Sequence, residues 1–321
     1  MKYQIYSDNK VEGRWFQSLT EYLKNAEIIK IEGRGSNPGQ IDEIISYDRP
    51  DIILVKNGSP VLVLEKTREV PTGHNIGQRM ARIVRAVEFG IPTIKFLPFD
   101  ARKHGDFSSV CNLNIRLIDS FKKMAEIHET PVLAINWPSN SHGELLTDGS
   151  ENTQVSDVVE NYLETKCDKN CIKIKEQKAE MDKEYAKRLT LYPKYAEMPG
   201  KSVYLINTKV YYKKINEDFA IDLKASGLDK KTNSLVYKIE MTPENCRRED
   251  PYTGTQFVYD YCWCRSGTKP EEKHSNLILH FPKITKDHWL EKNPNDSDRK
   301  SCNWYLTANA LVFKDDFLVL R

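Results

Sequence analysis

The chain has 321 residues, of which 39% are hydrophobic and 29% charged, and its formal net charge is +2. That length allows one large domain or two ordinary ones, and that composition is typical of a soluble globular protein. There is no run of about 18 apolar residues, so no membrane-spanning helix is expected, and with so balanced a total charge the local placement of Lys and Arg decides whether an acidic partner fits.

The opening stretch "MKYQIYSDNKVEGRW" has no apolar h-region, so no signal peptide is expected. Seven Cys spread over so long a chain predict reduced thiols and a cytoplasmic setting rather than a disulfide framework. Trp15, Leu19, Tyr22 and Leu23 recur at helical spacing and predict a helix over 12–25. "EIIKIEG" then predicts a strand, and "GRGSNPGQ" (33–40) a loop rich in Gly, Asn and Pro. Asp51 to Val55 and Val61 to Thr67 are two strands joined through Asn57-Gly58, a strong hairpin turn signal. Ile76, Met80, Ile83, Val84 and Val87 form one apolar helical stripe that ends at Gly90. "IPTIKFLPF" predicts another strand, reached by a parallel crossover. A helix near Asn114–His128 and a buried strand in "TPVLAINW" follow. The order to residue 137 is α-β-β-β-α-β-α-β, an α/β domain over 1–137.

Residues 138–154, "PSNSHGELLTDGSENTQ", are polar and turn-rich and predict a linker or insertion. Residues 155–321 begin with a largely helical stretch and become strand-rich and aromatic from "KSVYLINTKVYYKKI" onward, a second α+β region.

The hairpin carries a carboxylate at each end. Asp51 lies about seven residues before the turn centre and Glu65 about seven after it, so the two should end level. Mg²⁺ prefers oxygen ligands and is often held by one or two carboxylates with water and substrate phosphate, which this pair suits. Such a metal could polarise a phosphoryl oxygen and activate water. From Arg68 to Lys103 the chain carries seven Lys/Arg against three acids, a local excess of +4 beside the hairpin. On the helix after it, Gln78, Arg82 and Arg85 share one face by their i, i+4, i+7 spacing, and Asn75 and Arg79 lie alongside. Arg79 and Arg82 could hold phosphates bidentately, and Thr72-Gly73-His74-Asn75 opens the helix, where free backbone N–H groups favour an anion.

This hairpin resembles the PD-(D/E)xK nuclease superfamily, the fold of many type II restriction endonucleases. Pro50-Asp51 stands where that family has its PD, and Glu65 where it has the second acid, with thirteen residues between the two carboxylates. The flanking elements are similar to the family's αβββαβ core, over roughly residues 10–135. The resemblance implies a mixed sheet flanked by helices, Asp51 and Glu65 as metal and catalytic carboxylates, and Gln78 near the metal. It also implies Mg²⁺-dependent cleavage of double-stranded DNA. The family has Lys at the third position of its second motif. Here the residues are Glu65-Lys66-Thr67, so Lys66 or Lys95 on the next strand takes the lysine's role. A homodimer suits two-fold-symmetric sites on duplex DNA.

Three further motifs carry candidate chemistry. Asp222-Leu223-Lys224 also matches acid-x-Lys, but without an upstream partner hairpin. Cys167/Cys171 and Cys262/Cys264 are two thiol pairs that either remain free or together hold a structural zinc. In "CRREDPYTGTQFVYDYCWCRSG", Arg247, Arg248 and Arg265 flank aromatic residues; they either read bases, as Arg does with guanine, or rim an aromatic hairpin. A P-loop, a dinucleotide Gly-rich motif and a nucleophile elbow are all missing from the sequence. Alternatives to a restriction-type enzyme are another nuclease of the same fold, acting in repair, in recombination or on RNA, and a non-catalytic DNA-binding protein on a decayed nuclease fold.

Overall fold

The computed structural model describes residues 2–70, 74–102, 109–193, 203–246, 275–291 and 303–320. The chain divides into two compact units, one made of Met1–Thr72 with Arg82–Glu197, the other of Gly73–Ala81 with Met198–Arg321. The first unit takes in the 138–154 stretch and the two helices after it, so these are not a connection between units. Trp137 ties the stretch down by donating its indole N–H to the Leu146 carbonyl (2.7 Å), and Trp15 does the same to Asn152 Oδ1 (2.9 Å).

The first unit is α/β. Its elements are β1 (Tyr3–Ser7), α1 (Lys10–Gln17), β2 (Glu27–Lys30), α2 (Gly39–Ile44), β3 (Ile52–Lys56), β4 (Ser59–Lys66), α3 (His74–Glu88), β5 (Thr93–Leu97), β6 (Asp100–Arg102), β7 (Val110–Asn112), α4 (Ile115–His128), β8 (Val132–Asn136), α5 (Thr153–Glu164) and α6 (Ile172–Leu191). Helix α3 is shared, its residues from Arg82 onward belonging to this unit.

Six strands form a mixed sheet in the order β2-β1-β3-β4-β5-β8. β4, β5 and β8 run parallel, as the expected crossover through α3 requires. β1, absent from the sequence reading, lies between β2 and β3. Every residue of β5 is buried, as in parallel sheets covered on both faces. One face packs Tyr6, Ile53, Val55 and Val63 against Ile41 and Ile44 of α2 and Ala86 of α3. On the other, Trp15 of α1, Phe96 of β5 and Trp137 form a parallel stack, with centroids 5.8 and 4.9 Å apart.

Several local expectations change. The helix expected over 12–25 stops at Gln17 and resumes as a short 3-10 turn, Glu21–Leu23, because Thr20 Oγ1 accepts from the Tyr22 amide and starts a new turn. The loop expected over 33–40 gives way to α2 at Gly39, since Ile41 and Ile44 find a core to enter. At the hairpin, Asn57 and Gly58 both take positive φ (50° and 85°), the conformation an Asn-Gly two-residue turn supplies. The stripe on α3 is buried at Met80, Ile83, Val84 and Val87, and Asn114 caps α4 by accepting from the Arg116 amide.

Gly13 lets α1 lie directly on the sheet. A Cβ there would come within 2.6 Å of Ile28 Cγ2 and 2.7 Å of Ser7 Oγ. Gly13→Ala should therefore destabilise the protein by about 1–3 kcal/mol through overpacking, although Ala favours helices. A urea titration measures this, and an unchanged midpoint would mean α1 can lift freely.

The second unit contains a five-stranded mixed sheet in the order β13-β12-β11-β10-β9, made of β9 (Val203–Asn207), β10 (Asn233–Lys238), β11 (Asn276–His280), β12 (Ala310–Val312) and β13 (Phe317–Val319). Helices α7 (Thr208–Phe219) and α8 (Lys286–Glu291) belong to it, and Tyr211 and Ile215 of α7 pack on Val236, Ile278 and Val312. This unit also combines helices with a mixed sheet, but the helical stretch expected at its start, from 155, belongs to the first unit.

Candidate active site

Strand register decides where the hairpin carboxylates sit. Lys56 pairs with Ser59 and Val55 with Pro60, but a bulge follows and Leu54 pairs with Leu62, Ile53 with Val63 and Ile52 with Leu64. Without that extra residue Leu64 would stand opposite Asp51. With it, the register continued one step past Ile52 and Leu64 sets Glu65 opposite Asp51, and opposite residues share a face. Both carboxylates are buried, Glu65 completely.

Arg82 of α3 reaches this pair. Its Nη1 lies 2.7 Å from Glu65 Oε1 and 3.3 Å from Asp51 Oδ1, and its Nε lies 3.4 Å from Asp48 Oδ2. The other Asp51 oxygen, Oδ2, accepts the Lys66 backbone N–H at 2.7 Å. Glu65 Oε2 is buried and has no hydrogen-bond partner. Burial pushes the Asp51 carboxyl well above its usual range, Glu65 adds to this, and Arg82 and the Lys66 amide pull against it. Burial also works against the Arg82 charge, but Glu65, Asp48 and Asp51 outweigh it and hold the guanidinium protonated. The sequence reading turned Arg82 outward toward phosphate. Its place is inward, because three buried carboxylates offer more than solvent does.

The two candidate lysines separate by strand alternation. Lys95 pairs with Glu65 across β4 and β5 in parallel register, so it is buried beside Glu65 on the same face. Lys66 points to the opposite face, where its ammonium stands 3.8 Å from the Trp15 ring centroid and 4.9 Å from that of Trp137. Burial lowers the Lys66 pKa, against the pull of Glu12 and Glu151. Thr67, two residues after Glu65, ends the strand: its amide donates to the Phe96 carbonyl and its hydroxyl accepts from the Glu69 amide.

Two acids escaped the sequence reading. Asp48 stands three residues before Asp51 in "YDRPD", and its other oxygen accepts the Arg49 amide at 2.7 Å. Glu12 of α1 has a buried Oε2 without a partner, and its pKa is raised by burial first, then by Asp8 and Glu65. Asn9 caps α1, so Glu12 occupies the third helical position, where a local capping role already accounts for an acid. That local explanation hides its approach to the hairpin.

Asn75 and Gln78 are in α3, but their side chains lie outside the described residues, as do Arg247, Arg248, Arg265, Cys262 and Cys264. Arg79 is half-buried on α3. Cys167 and Cys171 are free thiols, the first 3.6 Å from Lys56 Nζ. Asp222 and Lys224 are exposed at the start of a short 3-10 turn, Leu223–Ser226, and Asp222 simply caps it by accepting from the Lys224 amide.

No protein-family model matches the chain, and comparisons with curated proteins and with solved structures gave no match. Function therefore rests on the site itself. Among the described residues, no three acid, His or Cys side chains form a ready metal cage, and no helix is long and apolar enough to cross a membrane. The donor chemistry nevertheless fits a hard divalent cation held by two carboxylates plus water and substrate oxygens. Asp51 and Glu65 are level on one face, and the buried Glu65 Oε2 has no partner.

Proposed function

We propose that the chain is a Mg²⁺-dependent endonuclease acting on double-stranded DNA, with a restriction-endonuclease-like first unit and recognition or dimer contacts from the second. The observation that carries this reading is the buried pair Asp51 and Glu65, level across a hairpin, with Lys95 in register beside Glu65. Asp51 and Glu65 would hold the metal. When bound, Mg²⁺ would supply Lewis-acid polarisation of a phosphoryl oxygen. Lys95 would orient the attacking water, since its register puts it on the carboxylate face. Lys66 would act through its backbone, whose N–H holds Asp51 Oδ2. Arg79 would meet the phosphate backbone.

The departure at Thr67 favours a second reading, a protein of this fold that binds DNA without cutting it. Purified protein incubated with plasmid DNA, phage DNA, single strands and RNA, with and without Mg²⁺, separates the readings. Discrete DNA fragments that need metal are the expected result. Cleavage of RNA alone would move the substrate class, and binding without any cleavage would establish the second reading.

A further inference from the structure

We infer that Arg82 is the resident counter-ion of this site and gates it, so that a divalent cation enters only by displacing the guanidinium. The inference rests on the metal reading of Asp51 and Glu65 and concerns how that site is controlled. Of the two Asp51 oxygens, Oδ2 is held by the Lys66 amide, and Oδ1 is the one that faces Arg82. A single guanidinium nitrogen bridges Asp51 Oδ1 and Glu65 Oε1, one oxygen from each strand. A metal shared by the two carboxylates needs Asp51 Oδ1 at about 2.0–2.1 Å for Mg²⁺ whichever Glu65 oxygen it takes, and Arg82 Nη1 stands against that oxygen at 3.3 Å. A cation and a guanidinium also repel one another across so short and buried a gap.

Arg82 has a place to go. Asp48 holds its Nε, so the guanidinium can let go of the hairpin and keep one carboxylate partner. The unpartnered Glu65 Oε2 marks the acid that gains most when the cation arrives. In the metal-free protein Arg82 supplies the positive charge the buried acids require, and the cation takes over that role on binding.

The test measures metal binding directly on the full chain. Mn²⁺ titrations, followed by electron paramagnetic resonance of free Mn²⁺ and by the thermal midpoint, compare wild type, Arg82→Gln, and Arg82→Gln with Glu65→Gln. Arg82→Gln should bind Mn²⁺ about tenfold tighter or more, its midpoint should rise further with Mn²⁺ than that of wild type, and Glu65→Gln should erase both gains. If Arg82→Gln folds only with metal, recovery of its circular dichroism on adding Mn²⁺ is the same positive result, and no recovery at saturating Mn²⁺ overturns the gate. Equal affinity in wild type and Arg82→Gln also overturns the gate while leaving the metal reading intact. No Mn²⁺ binding by either protein overturns both.

Discussion

On the proposed nuclease reading, Glu65→Gln should lower Mg²⁺-dependent DNA cleavage by about 10²–10³-fold while leaving the fold in place. A metal at developing charge contributes several kcal/mol, and each 1.36 kcal/mol is tenfold in rate. The substitution keeps the side chain's shape, and the amide oxygen can still accept from Arg82 at the place of Oε1. It removes the negative charge and puts N–H donors at the place of Oε2, where the acid has no partner to lose. Initial cleavage rates at saturating Mg²⁺ measure the effect, and a thermal scan checks the fold. Near wild-type cleavage by a folded Glu65→Gln protein would remove the hairpin from the chemistry.

The largest effect on stability is expected at Arg82. Arg82→Leu should destabilise the protein by about 3–5 kcal/mol, because it leaves Asp48, Asp51 and Glu65 buried without their shared cation. The loss should depend on pH, and its sign follows from linkage. Asp51 has a folded pKa raised above 3.8, so the folded state binds this proton more tightly than the unfolded chain. Its ionisation therefore opposes folding increasingly as pH rises from near 4 through the raised value. Arg82 is one of the groups that hold this pKa down. Without Arg82 the pKa rises further, and the opposition extends to higher pH. The Arg82→Leu defect should thus be larger at pH 8 than at pH 5. Asp51→Asn, which removes a buried charge beside Glu65, should keep or raise stability near neutrality. Urea titrations of the three proteins at both pH values measure this. A defect below about 1 kcal/mol, or one indifferent to pH, would contradict a buried charge cluster.

The sequence alone determined the elements whose signals are local. Asn57-Gly58 dictates its turn because positive φ at both positions costs these residues little. The 3.6-residue stripe of α3 and the Asn114 cap of α4 are set within a few residues of themselves. Alternation along β4 puts Glu65 and Lys66 on opposite faces whatever strand pairs with them. It also placed the two hairpin acids close to each other.

Only the tertiary structure decided what those acids meet. Counting from the turn makes Asp51 and Glu65 only about level, and the bulge between Leu54 and Val55, with Val61 as the extra residue, sets them opposite each other. β1, with its short and partly polar "YQIYS", becomes a central strand because β2 and β3 pair on either side of it. Lys95 reaches Glu65 through parallel register, and Arg82 turns inward because Asp48, Asp51 and Glu65 converge from separate segments. Periodicity reports the face a residue takes along its own element. The choice of pairing strand and the compensation of a buried charge depend on groups distant in sequence, so they exist only once the sheet has closed around them.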